Sequence, residues 1–264
     1  MLNKLLKYDL KWTLKILAVF YVLTLFFAII TRIVFEIDNN SLMLLITGKI
    51  LQGFTISMIV SALINTFMRM WLRFKNNIYG DESYLTHTLP VDKKSIYLSK
   101  VLTALITMFT TIFVIFLAVI IMYYSNDNLI LIKSSLEGLS NIYNSNIAIL
   151  LLIAFFLIFL EMFLLLMIGF IGLIIGHKAN NGKVLKSIIY GFILYTATQL
   201  LTLLIIFIVG LFSKDIMDLF MSSNINSFDS IKMVMIISMI IYSIYNIVYY
   251  FIGKKTLQDG VNVE

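Results

Sequence analysis

The chain has 264 residues, of which 61% are hydrophobic and only 13% charged, and it carries a formal net charge of +6. A soluble domain cannot cover that much apolar surface, so the composition specifies an integral membrane protein. Unbroken apolar runs exclude transmembrane β-strands, which alternate, and the lack of cysteine excludes disulfides, thiolate metal sites and cysteine nucleophiles.

A spanning helix needs roughly 20 predominantly apolar residues. Six windows qualify, at about 16–35, 50–70, 99–124, 147–175, 187–212 and 231–252. They predict an all-α protein, a single six-span transmembrane domain over residues 1–264 with no room for a soluble catalytic domain.

Before the first span, Lys4, Lys7, Lys11 and Lys15 recur three and four residues apart and so share one helical face. Leu5, Leu6, Leu10, Trp12, Leu14 and Leu17 cover most of the rest. This pattern predicts an amphipathic interfacial helix, lying in the headgroup layer before the chain turns into the bilayer. The simpler alternative is a direct start to span one with its lysines snorkelling. Asp9 falls on the apolar side of this helix, and no sequence spacing names its partner. The apolar run from Ile16 exceeds the roughly 7–15 residues of a cleavable signal, so it is expected to remain as an anchor.

Several spans carry polar stripes. Span two has Ser57, Ser61, Asn65 and Arg69, and span three has Thr103, Thr107, Thr110 and Thr111. Span five has Tyr195, Thr198, Gln199 and Thr202, while span six has Ser238, Tyr242, Tyr245, Asn246 and Tyr249. Lipid cannot satisfy such groups, so these faces are expected against other helices, with the lining of a pathway as the sharper reading of Asn65, Gln199 and Asn246. Gly169, Gly172 and Gly176 in span four permit close backbone approach. Glu161 breaks the same span in "LIFLEMFLLL". A carboxylate at bilayer centre costs about 2.5–3.5 kcal/mol on insertion scales, so it marks either a pathway or coupling site, or a neutral tie to a neighbouring helix.

Between spans two and three lies "GDESYLTHTLPVDKKSIYLSK", residues 80–100, which holds the only proline. Gly80 ends the extension of span two, and "SYLTHTL" is long enough for a helical turn or two with Tyr84, Leu85 and Leu89 as apolar knobs. Pro90 then stops the chain and Asp92 is placed to cap the helix that becomes span three. Asp81, Glu82, Lys93 and Lys94 form a charged rim around the knobs.

Lysine and arginine near the span ends set the orientation. Fifteen of the 20 basic residues fall on one side: the four N-terminal lysines, Arg69, Arg73, Lys75, Lys93, Lys94, Lys100, Lys178, Lys183, Lys186, Lys254 and Lys255. Both termini and residues 80–100 are therefore expected to be cytoplasmic. The net charge reads as a topology signal, with no nucleic-acid footprint.

The chain contains no G-x-x-x-x-G-K-[ST], no H-E-x-x-H, no G-x-S-x-G and no S-x-x-K. His87 and His177 sit in different loops without metal-ligand spacing. On this reading the chain is not an enzyme and binds no metal or cofactor itself.

The segment Thr88, Leu89, Pro90, followed by Ile96, Ser99 and Lys100, resembles the permease subunits of ABC-2-type transporters. In that family a "TLP" turn and an "SK" often lead into span three. In architecture the resemblance covers the whole chain, but in motif only residues 88–100. It implies a cytoplasmic coupling turn docked on a separate ATP-binding cassette ATPase, with Tyr84, Leu85, Thr88, Leu89 and Pro90 at its centre. ATP and magnesium would sit on that partner. Two ATPase copies and a second permease, identical or homologous, would complete the unit in a bacterial cytoplasmic membrane. Family members of this size export or confer immunity to lantibiotics, bacteriocins and other peptides, so the expected substrate is a hydrophobic or amphipathic peptide or antimicrobial compound. The loop 213–230 is short for an external gate of the polysaccharide-exporter kind. The competing expectations are an ion-gradient-driven secondary transporter coupled through Glu161, and a non-transporting membrane sensor or assembly protein.

Overall fold

A computed structural model of the protein describes residues 2–37, 41–88, 90–123, 147–213, 216–217 and 228–258. The described residues are helical almost throughout. The helices are α1 (Leu2–Glu36), α2 (Leu42–Ile78), α3 (Ser83–Thr88), α4 (Lys93–Tyr123), α5 (Ile147–His177), α6 (Lys183–Phe212) and α7 (Phe228–Gln258). All but α3 are long and apolar enough to cross a membrane, and they account for the six predicted spans of a multi-pass membrane protein.

One expectation is corrected at the N-terminus. Instead of an interfacial helix followed by a turn, residues 2–36 form one uninterrupted helix of 35 residues. Neither glycine nor proline occurs in this stretch, so nothing interrupts the hydrogen-bond ladder. At about 1.5 Å per residue it is about 52 Å long, against about 30 Å of hydrocarbon. Its first turns therefore project beyond the apolar layer with Lys4, Lys7, Lys11 and Lys15 exposed. The opposite face buries Asp9, Thr13, Leu17, Thr24, Ala28 and Thr31. These residues are mostly small or short, which lets neighbouring backbones approach. The threonine hydroxyls donate to carbonyls four residues back, so burial leaves them satisfied: Thr13 to Asp9 at 2.5 Å, Thr24 to Phe20 at 2.7 Å and Thr31 to Phe27 at 2.7 Å.

α1 packs on α4 and α2, while α5 packs on α6 and α7, and α4 joins the two groups through α5. α5 is apolar on every side, packing on α2, α4, α6 and α7 while its first turns leave Leu151, Leu152, Phe156 and Ile158 exposed. Around it lies the main core, where Phe74, Tyr97, Met108, Phe163, Met167 and Phe170 interlock from α2, α4 and α5. Polar ties also cross between helices: Thr31 to Thr55 at 2.9 Å, Thr66 to Thr111 at 2.8 Å and Tyr21 to Thr111 at 2.6 Å.

Contacts sort the helix ends into two groups. Asp9 meets Arg73 and Lys100, Tyr79 stacks on His177, and Tyr97 lies beside Tyr250. The start of α1, the end of α2, the start of α4, the end of α5 and the end of α7 thus share one end of the bundle. Thr31 with Thr55 and Gln52 with Tyr123 mark the other. The first is the basic end, since the fifteen basic residues grouped above lie on it. The tight turn from α5 to α6 here passes through Gly182 at φ 64°, a left-handed conformation that suits glycine.

Candidate functional site

The basic end is organised by a buried charge cluster. Asp9 is only 3% exposed, and its carboxylate is the hub. Lys100 Nζ donates to both its oxygens, at 2.7 and 2.8 Å, Arg73 Nε donates at 3.0 Å, and Ser99 Oγ at 3.2 Å. Arg73 also reaches Glu82 at 2.8 Å, and Asn77 bridges the two halves, donating to Glu82 and accepting from Lys100. Helical spacing supplies the parts: Arg73 and Asn77 are one turn apart on α2, and Ser99 and Lys100 are adjacent near the start of α4. Two carboxylates meet two cations, so the cluster is neutral overall. Buried ions survive only when paired and hydrogen-bonded in this way. Arg69 and Arg73 lie over the Trp12 ring at 4.9 and 5.0 Å, adding cation–π contacts between α1 and α2.

This base carries α3. Tyr79 and Gly80 close the end of α2 by donating to Lys75 O, and Ser83 N–H donates to Gly80 O at 2.8 Å. His87 Nε2 lies 3.2 Å from Ile78 O and Ser83 is buried, so α3 folds back on the tip of α2. Tyr79 stacks on His177 at 4.3 Å, tying the same tip to α5, and burial pushes its phenol up from the ordinary tyrosine range. Held between these contacts, α3 turns Tyr84 (70% exposed) and Leu85 (73% exposed) outward. A cleft of about 260 Å³ runs beside them, with Leu5, Tyr8 and Leu85 at its sides and Asp9 and Lys100 among its lining.

Of the sequence-selected residues, Thr88, Pro90, Asp81, Lys93 and Lys94 are exposed around α3, with Thr88 Oγ1 donating to Leu85 O at 3.0 Å. Leu89 lies outside the described residues. Glu82, expected in the charged rim, keeps 46% of its side chain exposed and also pairs with Arg73, which joins the rim to the buried base. Sequence reasoning missed this base. Asp9 on an apolar face was the available signal, but nothing in the order of residues links it to positions 73 and 100.

The polar stripes divide. Thr103, Thr107 and Thr111 are buried between helices as expected, with Thr107 Oγ1 also donating to Met70 Sδ at 3.3 Å. Ser57 faces outward instead and donates to its own helix at Gly53 O. The inward polar residues of α2 are Thr55, Thr66 and Asn77. A short hydroxyl can bond its own backbone, so it need not face a partner. Asn65 likewise donates to Ser61 O at 2.8 Å, and Gln199 is half-buried on α6. Asn246 ties α7 to α5 by donating to Leu160 O at 3.1 Å. Glu161 is half-buried on α5.

No protein-family model, curated protein or solved structure matches the chain.

Proposed function

We propose that the chain is the permease subunit of an ATP-driven, ABC-2-type exporter in a bacterial cytoplasmic membrane. Its basic end faces the cytoplasm, following the positive-inside rule. The observation that carries this reading is α3, a short helix exposing an aromatic and an aliphatic side chain on a base fixed by ion pairs. Apolar knobs on a rigid base suit insertion into a partner's cleft, because little conformational freedom is lost on docking. The partner is an ATP-binding cassette ATPase that carries the nucleotide and magnesium. A second permease, identical or homologous, completes the assembly. Motion of the ATPase against α3 is passed through Glu82 and Arg73 to α1 and α2. The cargo is a hydrophobic or amphipathic peptide or antimicrobial compound, consistent with the resemblance of residues 88–100.

Pull-down of the tagged full chain from its native membranes should recover the ATPase. Replacing Tyr84 and Leu85 with alanine should weaken that association by about 1–3 kcal/mol, roughly 5- to 150-fold, with export lost to match. Both side chains are exposed, so expression and membrane insertion should be unchanged. Wild-type recovery of the ATPase with the double variant would reduce α3 to a surface turn.

The orientation has its own test. Single cysteines at Asn180 and Ser41 occupy exposed positions at the basic end and the opposite end. In intact cells an impermeant maleimide should label only the Ser41→Cys protein. Labelling at position 180 would invert the scheme.

A further inference from the structure

Glu161 shares one face of α5 with Leu157, Leu164 and Ile168, at spacings of four, three and four residues. Leu164 and Ile168 pack against Tyr242 of α7, with Leu157, Leu194 and Tyr245 alongside. Asn246 sets the local register, since its Nδ2 donates to Leu160 O at 3.1 Å and Tyr242 O at 2.9 Å. With the amide orientation set by two carbonyls, Oδ1 is left as an acceptor. That Oδ1 and the Tyr245 hydroxyl are buried with no hydrogen-bond partner among the described residues, and Asn246 is only 9% exposed. Glu161 makes no hydrogen bond or ion pair among the described residues.

We propose that Glu161, Tyr242, Tyr245 and Asn246 form a binding site for the cationic head of an amphiphile that carries N–H donors, an alkylammonium or a guanidinium. The unpartnered groups are a carboxylate, a carbonyl oxygen and a hydroxyl, which together call for a donor of positive charge. A proton on Glu161 and the Tyr245 hydroxyl together supply two donors but no positive charge. An ammonium supplies three and a guanidinium five, along with the charge. The Tyr242 and Tyr245 rings, packed on the same face of α5, add the face that such cations favour. Access is lateral: Glu161 is half-buried and Phe156 and Ile158, in the preceding turn of α5, are exposed, so the tail of the amphiphile stays in lipid. The site rests on the helix packing alone and needs no ATPase. Where the exporter reading holds, it assigns the cargo a basic group.

The test uses the full-length protein in lipid nanodiscs, without nucleotide or partner, so its failure leaves the exporter reading untouched. Dicyclohexylcarbodiimide captures membrane-embedded carboxylic acids, and mass spectrometry reads the modified fraction at Glu161. Dodecylammonium is the probe, dodecanol at equal membrane loading controls for partitioning, and dodecyltrimethylammonium supplies charge without N–H donors. Dodecylammonium should lower labelling by about fivefold or more, dodecanol should leave it unchanged, and the trimethyl analogue should fall between. In Tyr245→Phe and Asn246→Leu proteins, labelling should persist while protection by dodecylammonium falls to that of the trimethyl analogue. Equal labelling with and without dodecylammonium overturns the proposal. So does equal protection by all three amphiphiles, or a Glu161 that the carbodiimide never reaches.

Discussion

Replacing Asp9 with alanine should destabilise the basic end by about 3–5 kcal/mol, because it strips a buried lysine of its counter-ion. Lys100 is only 6% exposed and bonds both Asp9 oxygens, so after the change it keeps Asn77 alone as a close acceptor. Arg73 would keep Glu82, but its link to α1 would go. Replacing Asp9 with alanine and Lys100 with methionine together should cost less than the aspartate change alone, since no charge is then left unpaired. The double-mutant cycle should give a coupling of about 2 kcal/mol or more. Thermal unfolding in lipid, combined with limited proteolysis of residues 2–15, measures both quantities. The first turns of α1 should become protease-sensitive before the rest of the bundle unfolds, because Asp9 is their main polar attachment. A loss below about 1 kcal/mol with no coupling would show that the cluster does not hold α1 in place.

Gly176→Leu should be about as damaging, by about 3 kcal/mol or more, for a steric reason. A Cβ at this position would overlap the backbone nitrogen and Cα of Ser187 on α6, together with its hydroxyl oxygen. No rotamer change relieves an overlap with backbone, so α6 must move away from α5. Gly172 is constrained in the same way, with a built Cβ 2.8 Å from Ser187 O and 3.0 Å from Gly191 Cα. The displacement should also pull on His177, which sits between Ser187 and the Tyr79 ring, and so loosen the support of α3. Gly53→Ala is the control, because among the described residues nothing lies within 4 Å of a Cβ there. It should be neutral or stabilising by up to about 1 kcal/mol from helix propensity. Comparing the melting temperatures of these two variants with that of the unaltered protein decides the point. A Gly176→Leu protein as stable as the Gly53→Ala protein would mean that α5 and α6 do not pack this closely.

The sequence and the structure agree most where one segment acts alone. Six apolar runs, the lysine face of α1, the single proline after α3 and the small residues of α5 were all legible. Each depends on composition or spacing within about 20 residues, and transfer to lipid is decided segment by segment. Gly176 could be read as a point of close approach, but Ser187 as the group approached could not. The interfacial helix was misread because a lysine stripe and an apolar face look alike whether a helix lies in the headgroups or projects through them. The separation depends on whether the helix breaks near residue 15, and contacts from Asp9 to α2 and α4 favour continuation.

Hydrophobicity and charge count act locally, and they are enough to set the membrane class, the number of apolar spans and the grouping of basic residues. Tertiary structure alone decided which faces meet: Asp9 with Lys100 and Arg73, Thr66 with Thr111, Asn246 with the backbone of α5, and Ser57 turned outward. In a membrane helix an apolar face packs as readily on lipid as on protein, so hydrophobic pattern carries little information about partners. That choice falls to a few polar groups and close backbone approaches, whose partners lie many residues away along the chain.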